Sequence, residues 1–108
     1  MRDSVPILGE LHGEIMVFQP MMITEIGRAG ASVDTRFPLH IDSLHDLRLT
    51  LGERSVIVKG RVVHSRISDV DQEIVTYRSG MEFVDVSAAA DTVIAEFLAA
   101  VQDGRSGT

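Results

Sequence analysis

The stretch LRLTL, residues 47–51, alternates strictly between apolar and polar side chains, and this commits that part of the chain to one backbone state. Successive side chains of an extended strand point to opposite faces, so Leu47, Leu49 and Leu51 share one face and Arg48 and Thr50 the other. A helix would scatter the same residues around its circumference. Gly52-Glu53-Arg54 reads as a hairpin turn, and SVIVKGRVVHSRI, residues 55–67, resumes as a long strand able to pair back onto LRLTL. Gly60 in its middle predicts a bulge or a bend, as at the corner of a barrel. Val56, Val58 and Val62 join the three leucines as the expected interior.

The flanking sequence repeats the pattern. GEIMVF, residues 13–18, is a short apolar strand stopped by Pro20, and residues 23–26 and 31–35 are strands on either side of a glycine pair. SDVDQE is an acidic loop, and IVTYRSGMEFVDV is a final strand with Met81 and Phe83 on one face. Consecutive strands joined by short turns predict a mainly β protein, a small antiparallel β-barrel. After Ser87 the period changes. Ile94, Phe97, Leu98 and Val101 fall at i, i+3, i+4 and i+7, the stripe of one C-terminal helix over about residues 87–101. Ser87 is placed to cap it, Asp91 sits where the helix dipole favours an anion, and Gly104 ends the run. The expected organisation is a lead-in over 1–8, a single domain over 9–103 and a frayed tail over 104–108.

Composition excludes several functions. A chain of 108 residues, 44% hydrophobic, suits one core, and the absence of cysteine removes disulfides, thiolate zinc sites and cysteine nucleophiles. No apolar run approaches the roughly 20 residues of a membrane span, and MRDSVPILGELHGE lacks the apolar segment of a signal peptide. The expectation is a cytoplasmic protein with no membrane insertion. A net charge of -6, from 16 acids against 10 bases, disfavours a polyphosphate backbone, so no DNA or RNA partner is expected. Nine of the ten bases are arginine, with Lys59 the lone lysine. Arginine suits bidentate recognition of phosphates and guanine edges, although a GC-rich genome gives the same bias.

Catalytic and metal chemistry find little support. Glu10, His12 and Glu14, and again His40, Asp42, His45 and Asp46, gather ligand-type residues without the fixed spacing of H-E-x-x-H. Asp69, Asp71 and Glu73 mimic the start of a calcium loop, but Ile74 stands where glycine is needed and Gly80 where the closing glutamate is needed. Ser43, between two histidines, has no G-x-S-x-G context. No catalytic residue, metal or cofactor is therefore assigned.

The glycine pair in ITEIGRAGASV, residues 23–33, is the remaining candidate. Gly27-Arg28-Ala29-Gly30 fits the G-x-x-G loop of KH domains, but those loops join helices in basic domains, and no Gly-Lys-Ser/Thr follows to make a P-loop. A plain turn with Gly27 or Gly30 at positive φ explains the same residues. The order of parts adds weight. ITEIGRAGASV, the LRLTL hairpin into VIVKGRVVHSRI, then YRSGMEFVDV and an amphipathic helix together resemble the PilZ domain over roughly residues 9–101. VIVKGRVVHSR looks like that family's v-x-G-x-V strand, and SGMEFVDVS like its x-G-v-x-F ending.

The resemblance implies a small antiparallel barrel with a C-terminal helix, in a family many of whose members are receptors for cyclic di-GMP. That family holds its ligand with an R-x-x-x-R pair near the N-terminus and a following (D/N)-x-S-x-x-G. The second motif falls on Glu25-Ile26-Gly27-Arg28-Ala29-Gly30, where only Gly30 matches; Glu25 replaces the Asp or Asn, and Gly27 replaces the serine. The first is absent, since Arg2 is the only base before Glu25 and the corresponding segment holds Glu10 and Glu14. The implied candidate ligand residues are Glu25, Gly27, Arg28, Gly30 and Arg36, with Arg61, Arg66 or Arg78 as substitutes from the sheet. Two functions follow as expectations. One is a non-catalytic signalling or adaptor module that binds a protein partner, with nucleotide binding weak or lost. The alternative is a true cyclic di-GMP receptor using non-standard arginines.

Overall fold

Alternation, turn chemistry and one change of period are enough to build the observed chain path. The computed structural model describes residues 4–15 and 19–106. Strands run in the order β1 (Val5–Pro6), β2 (His12–Ile15), β3 (Gln19–Ile26), β4 (Gly30–Thr35), β5 (Leu44–Leu51), β6 (Arg54–Asp71) and β7 (Ile74–Val84), followed by helix α1 (Ala88–Ser106). All pairings are antiparallel: β2 with β3 and β5, β5 with β6, β6 with β7, β7 with β4, and β4 back to β3. That circuit closes a barrel, and β1 adds to β3 through Val5–Ile26 and Pro6–Glu25.

The interior follows the alternation. Leu47, Leu49, Leu51, Val58 and Val62 are buried, while Val56 is half-buried against the same core. Leu47 faces Val58 and Leu49 faces Val56 across the β5–β6 ladder, and Gly52, at φ 69°, makes the turn between the strands. Met81 and Phe83 of β7 and Ile23, Ile26 and Val33 of β3 and β4 complete the core. Helix α1 lays Ile94 and Leu98 onto it, with Phe97 and Val101 half-buried at the margin. The Ser87 hydroxyl caps the helix, accepting a 3.1 Å hydrogen bond from the Ala90 amide, and Asp91 lies in the first turn.

Several expectations are corrected. Gly60 carries no bulge: it pairs with His45 on one side and Phe83 on the other. It is glycine because a Cβ would come within 2.7 Å of Leu47 Cδ1 in the packed interior. The bulges fall between Val62 and His64 and between Ile67 and Asp69. Pro20 lies inside β3, opposite Glu14, instead of merely stopping the preceding strand; Met16, Val17 and Phe18 of that expected strand lie outside the described residues. SDVDQE is no free loop. It is the end of β6 and the turn at Gln72, whose φ is 56°. Residues 5–6 of the lead-in form a strand, and α1 passes through Gly104 to Ser106.

Candidate functional site

The glycine pair closes a tight turn at one end of the barrel. The Gly27 amide donates to the Gly30 carbonyl at 2.9 Å, and the Ala29 carbonyl accepts from the Phe83 amide at 2.8 Å. Gly30 does not have positive φ, contrary to the turn reading; Gly52 is the glycine in that region among the described residues. Gly30 instead sits opposite Glu82 in the β4–β7 ladder, where a Cβ would overlap the backbone carbonyl of Met81. Closeness between two backbones, not local strain, requires glycine here.

Arg28, at the tip of that turn, reaches across to the helix. Its Nε and Nη2 donate to the two carboxylate oxygens of Asp91 at 3.2 and 2.5 Å, a bidentate fork. The hydrogen bond, and behind it the charge of Asp91, raises the pKa of the guanidinium further. The fork uses the Nε–Nη2 edge of the guanidinium, while the Arg28 side chain stays 61% exposed.

A pocket of about 280 Å³ opens beside the turn on the outer face of the barrel. Strand register builds it: Glu25 pairs with Ser32, Ser32 with Gly80, and Gly80 with His64, one transverse row over β3, β4, β7 and β6. The bulge at Val63 shifts the register so that His64 faces outward, and its ring leans over Gly80 into the space a Cβ would fill. Among the described residues Glu25 and Glu82 supply the charge of the lining, and no arginine lines it. Glu25 also accepts a 2.6 Å hydrogen bond from the Ser4 hydroxyl.

The remaining sequence candidates do not converge on it. Arg36 follows the far end of β4 and is exposed; the strand puts roughly 20 Å between it and Gly30. Arg78 is held by Asp34 in a fork of 2.7 and 2.9 Å, a hydrogen-bonded contact that raises its pKa. Arg61 lies 3.3 Å from Glu82 and 3.8 Å from Asp42. Arg66 is exposed on the outer face, opposite Arg78. Ser32, Val63, His64, Gly80 and Glu82 were not singled out from sequence. The signal was the adjacent pair Val62-Val63, which breaks the alternation and marks the bulge.

The histidine clusters resolve into local contacts. His12 Nε2 lies 3.1 Å from Glu10 Oε2, and His45 Nε2 lies 2.7 Å from Ser43 Oγ. Burial lowers the His45 pKa. Among the described residues no group of three or more His, Asp or Glu side chains is placed to hold a metal, and no helix is long and apolar enough to cross a membrane. A larger groove of about 670 Å³ between residues 6–12 and α1 is lined mainly by apolar side chains such as Ile7, Leu11, Phe97 and Val101.

Among known proteins, no family model matches the chain, and no curated protein sequence does. Solved structures do match. The PilZ domain of YcgR from Escherichia coli, solved with c-di-GMP, superposes with a TM-score of 0.76 at 12% identity, over 97% of this chain and 91% of that one. The MrkH–c-di-GMP complex of K. pneumonia gives 0.79 at 16% identity over 100% of this chain and 55% of that one. The inhibitor of motility MotI/DgrA of Bacillus subtilis gives 0.73 at 15%, over 96% of this chain and 52% of that one. This chain thus spans about half the length of the MrkH and MotI chains, and at these identities the likeness is one of fold.

Proposed function

We propose, from the premise that this chain has a PilZ-like fold, that it is a non-catalytic signalling or adaptor module of a bacterial cyclic di-GMP pathway. It works through contact with a protein partner, and its own affinity for the nucleotide is weak or lost. The observation that carries this reading is the state of the turn that resembles the family's ligand motif. Arg28 is forked onto Asp91, and the adjoining pocket is lined by Glu25 and Glu82. A guanine edge read by a bidentate arginine gains roughly 1–3 kcal/mol, so loss of two arginines and a serine hydroxyl forfeits on the order of 4 kcal/mol. That carries a micromolar affinity, about -8 kcal/mol, toward the millimolar range.

The receptor reading draws on Arg36 and Arg66, whose guanidiniums make no ion pair among the described residues. Arg36 follows β4 and lines a different pocket, beside Pro20 and Met22, and Arg66 lies on β6; neither lines the pocket at the turn, so the module reading is preferred. The acidic balance likewise favours a protein partner over DNA or RNA. Calorimetric titration of cyclic di-GMP into the chain and into a Glu25→Asp/Gly27→Ser double variant tests the proposal. Weak or silent traces from both are expected, because restoring the turn alone does not return the missing arginines. Micromolar binding by the unmodified chain restores the receptor reading.

A further inference from the structure

The β6–β7 hairpin outruns the barrel. The last β5 partner along β6 is Arg61, opposite Leu44, and the Val62 amide and carbonyl bond to the loop at Ser43 and Asp42. From residue 63 to residue 71, β6 pairs with β7 on one side only, and its other edge meets no strand among the described residues. A strand edge of this length offers a row of unpaired amides and carbonyls, a template for a further strand.

The two faces of this arm differ in chemistry. On one, Ile67 lies opposite Tyr77 and Val70 opposite Val75, continuing past the barrel rim the row that holds Ser79 and Met81 in the interior. Ile67 and Val70 are 57% and 59% exposed, so this apolar row is uncovered where it leaves the core. On the other face, Asp69 lies opposite Thr76 and Asp71 opposite Ile74, with Glu73 in the turn. Only Arg66 offsets these carboxylates on the free strand, because the neighbouring Arg78 is held by Asp34.

We infer that residues 63–71 are a docking edge for an extended segment of a partner protein, one that alternates apolar with basic side chains. The segment adds alongside β6, setting its apolar residues beside Ile67 and Val70 and its lysines or arginines beside Asp69 and Asp71. Charge decides against a second copy of this chain. Two copies would each bring a net charge of -6 to the contact, and bulges with outward charge are devices by which edge strands avoid pairing with themselves. A partner of opposite charge is the one the edge does not repel. Main-chain hydrogen bonding would supply affinity, and the alternating side chains specificity. This inference rests on the interaction-module reading and gives that module a surface.

The test uses the whole chain and two nine-residue peptides, one alternating valine with lysine and one alternating valine with glutamate. The lysine peptide should bind saturably and slow amide exchange within residues 63–71. Asp69→Lys/Asp71→Lys should weaken it at least about tenfold and confer binding of the glutamate peptide, a change of about 1.4 kcal/mol or more. Ile67→Ser/Val70→Ser should weaken it while leaving the melting temperature nearly unchanged. Protection spread over the barrel, or indifference to the charge swap, means unspecific attraction to an acidic protein and overturns the inference. Silence from both peptides overturns it, as does dimerisation of the chain through the arm. Micromolar cyclic di-GMP binding by the same sample would overturn the module reading while leaving a localised peptide result standing.

Discussion

The β3–β4 turn and the β6–β7 arm are both hairpin ends, and they treat their recognition groups in opposite ways. The turn carries the residues that resemble a ligand motif, but its backbone is tied to Phe83 and its arginine to the helix. The arm carries no such motif, yet its edge and apolar side chains are turned outward. The turn's arginine is thus paired within the chain, while the arm's apolar side chains are left exposed. A residue's place in a motif does not reveal its partner in the fold: Arg28 spends two of its five donors on Asp91.

The sharpest way to break this comparison is at Gly30. Gly30→Val should destabilise the domain by about 3 kcal/mol or more, because the added carbon meets the Met81 backbone and neither strand of a closed barrel can retreat. Urea unfolding at the unmodified midpoint would show the close approach to be incidental. Ile94→Ala, at a fully buried position of α1, should cost about 2–5 kcal/mol. Phe97→Ala should cost less than that, since Phe97 is only half-buried; equal losses would mean that the helix margin is as tightly packed as its centre.

On the arm the same kind of change should be nearly silent. Ile67→Ser is expected to move stability by no more than about 0.5 kcal/mol, in contrast to Gly30. The pH profile carries a smaller signature still. Burial lowers the His45 pKa, so the unfolded chain takes up that proton more readily than the folded one. Stability should therefore fall as pH drops below about 6.5, and His45→Gln should flatten that part of the curve.

What the sequence could reveal divides along physical lines. The LRLTL hairpin and the Ile94–Leu98 stripe were legible because burial there follows a local period, and both pack as the period demands. The turn was located correctly, but the reason for its glycine was not legible. That reason lies in β7, which reaches Gly30 only after the barrel closes. The bulge expected at Gly60 sits at Val63, because Gly60 answers to Leu47 and Met81 packed beneath it instead of to its own strand. Arg28 and Asp91 stand 63 residues apart, and no spacing rule could pair them. Contacts of this kind join segments far apart in the chain, so the candidate site was the part least visible in advance.

The account rests most directly on Arg28 being engaged by Asp91 rather than by a nucleotide. Calorimetry of the unmodified chain with cyclic di-GMP at moderate salt, beside Arg28→Ala, measures this. The prediction is heat too weak to saturate below about millimolar ligand in both proteins, with no difference between them. Saturable binding near one micromolar that Arg28→Ala abolishes would contradict it.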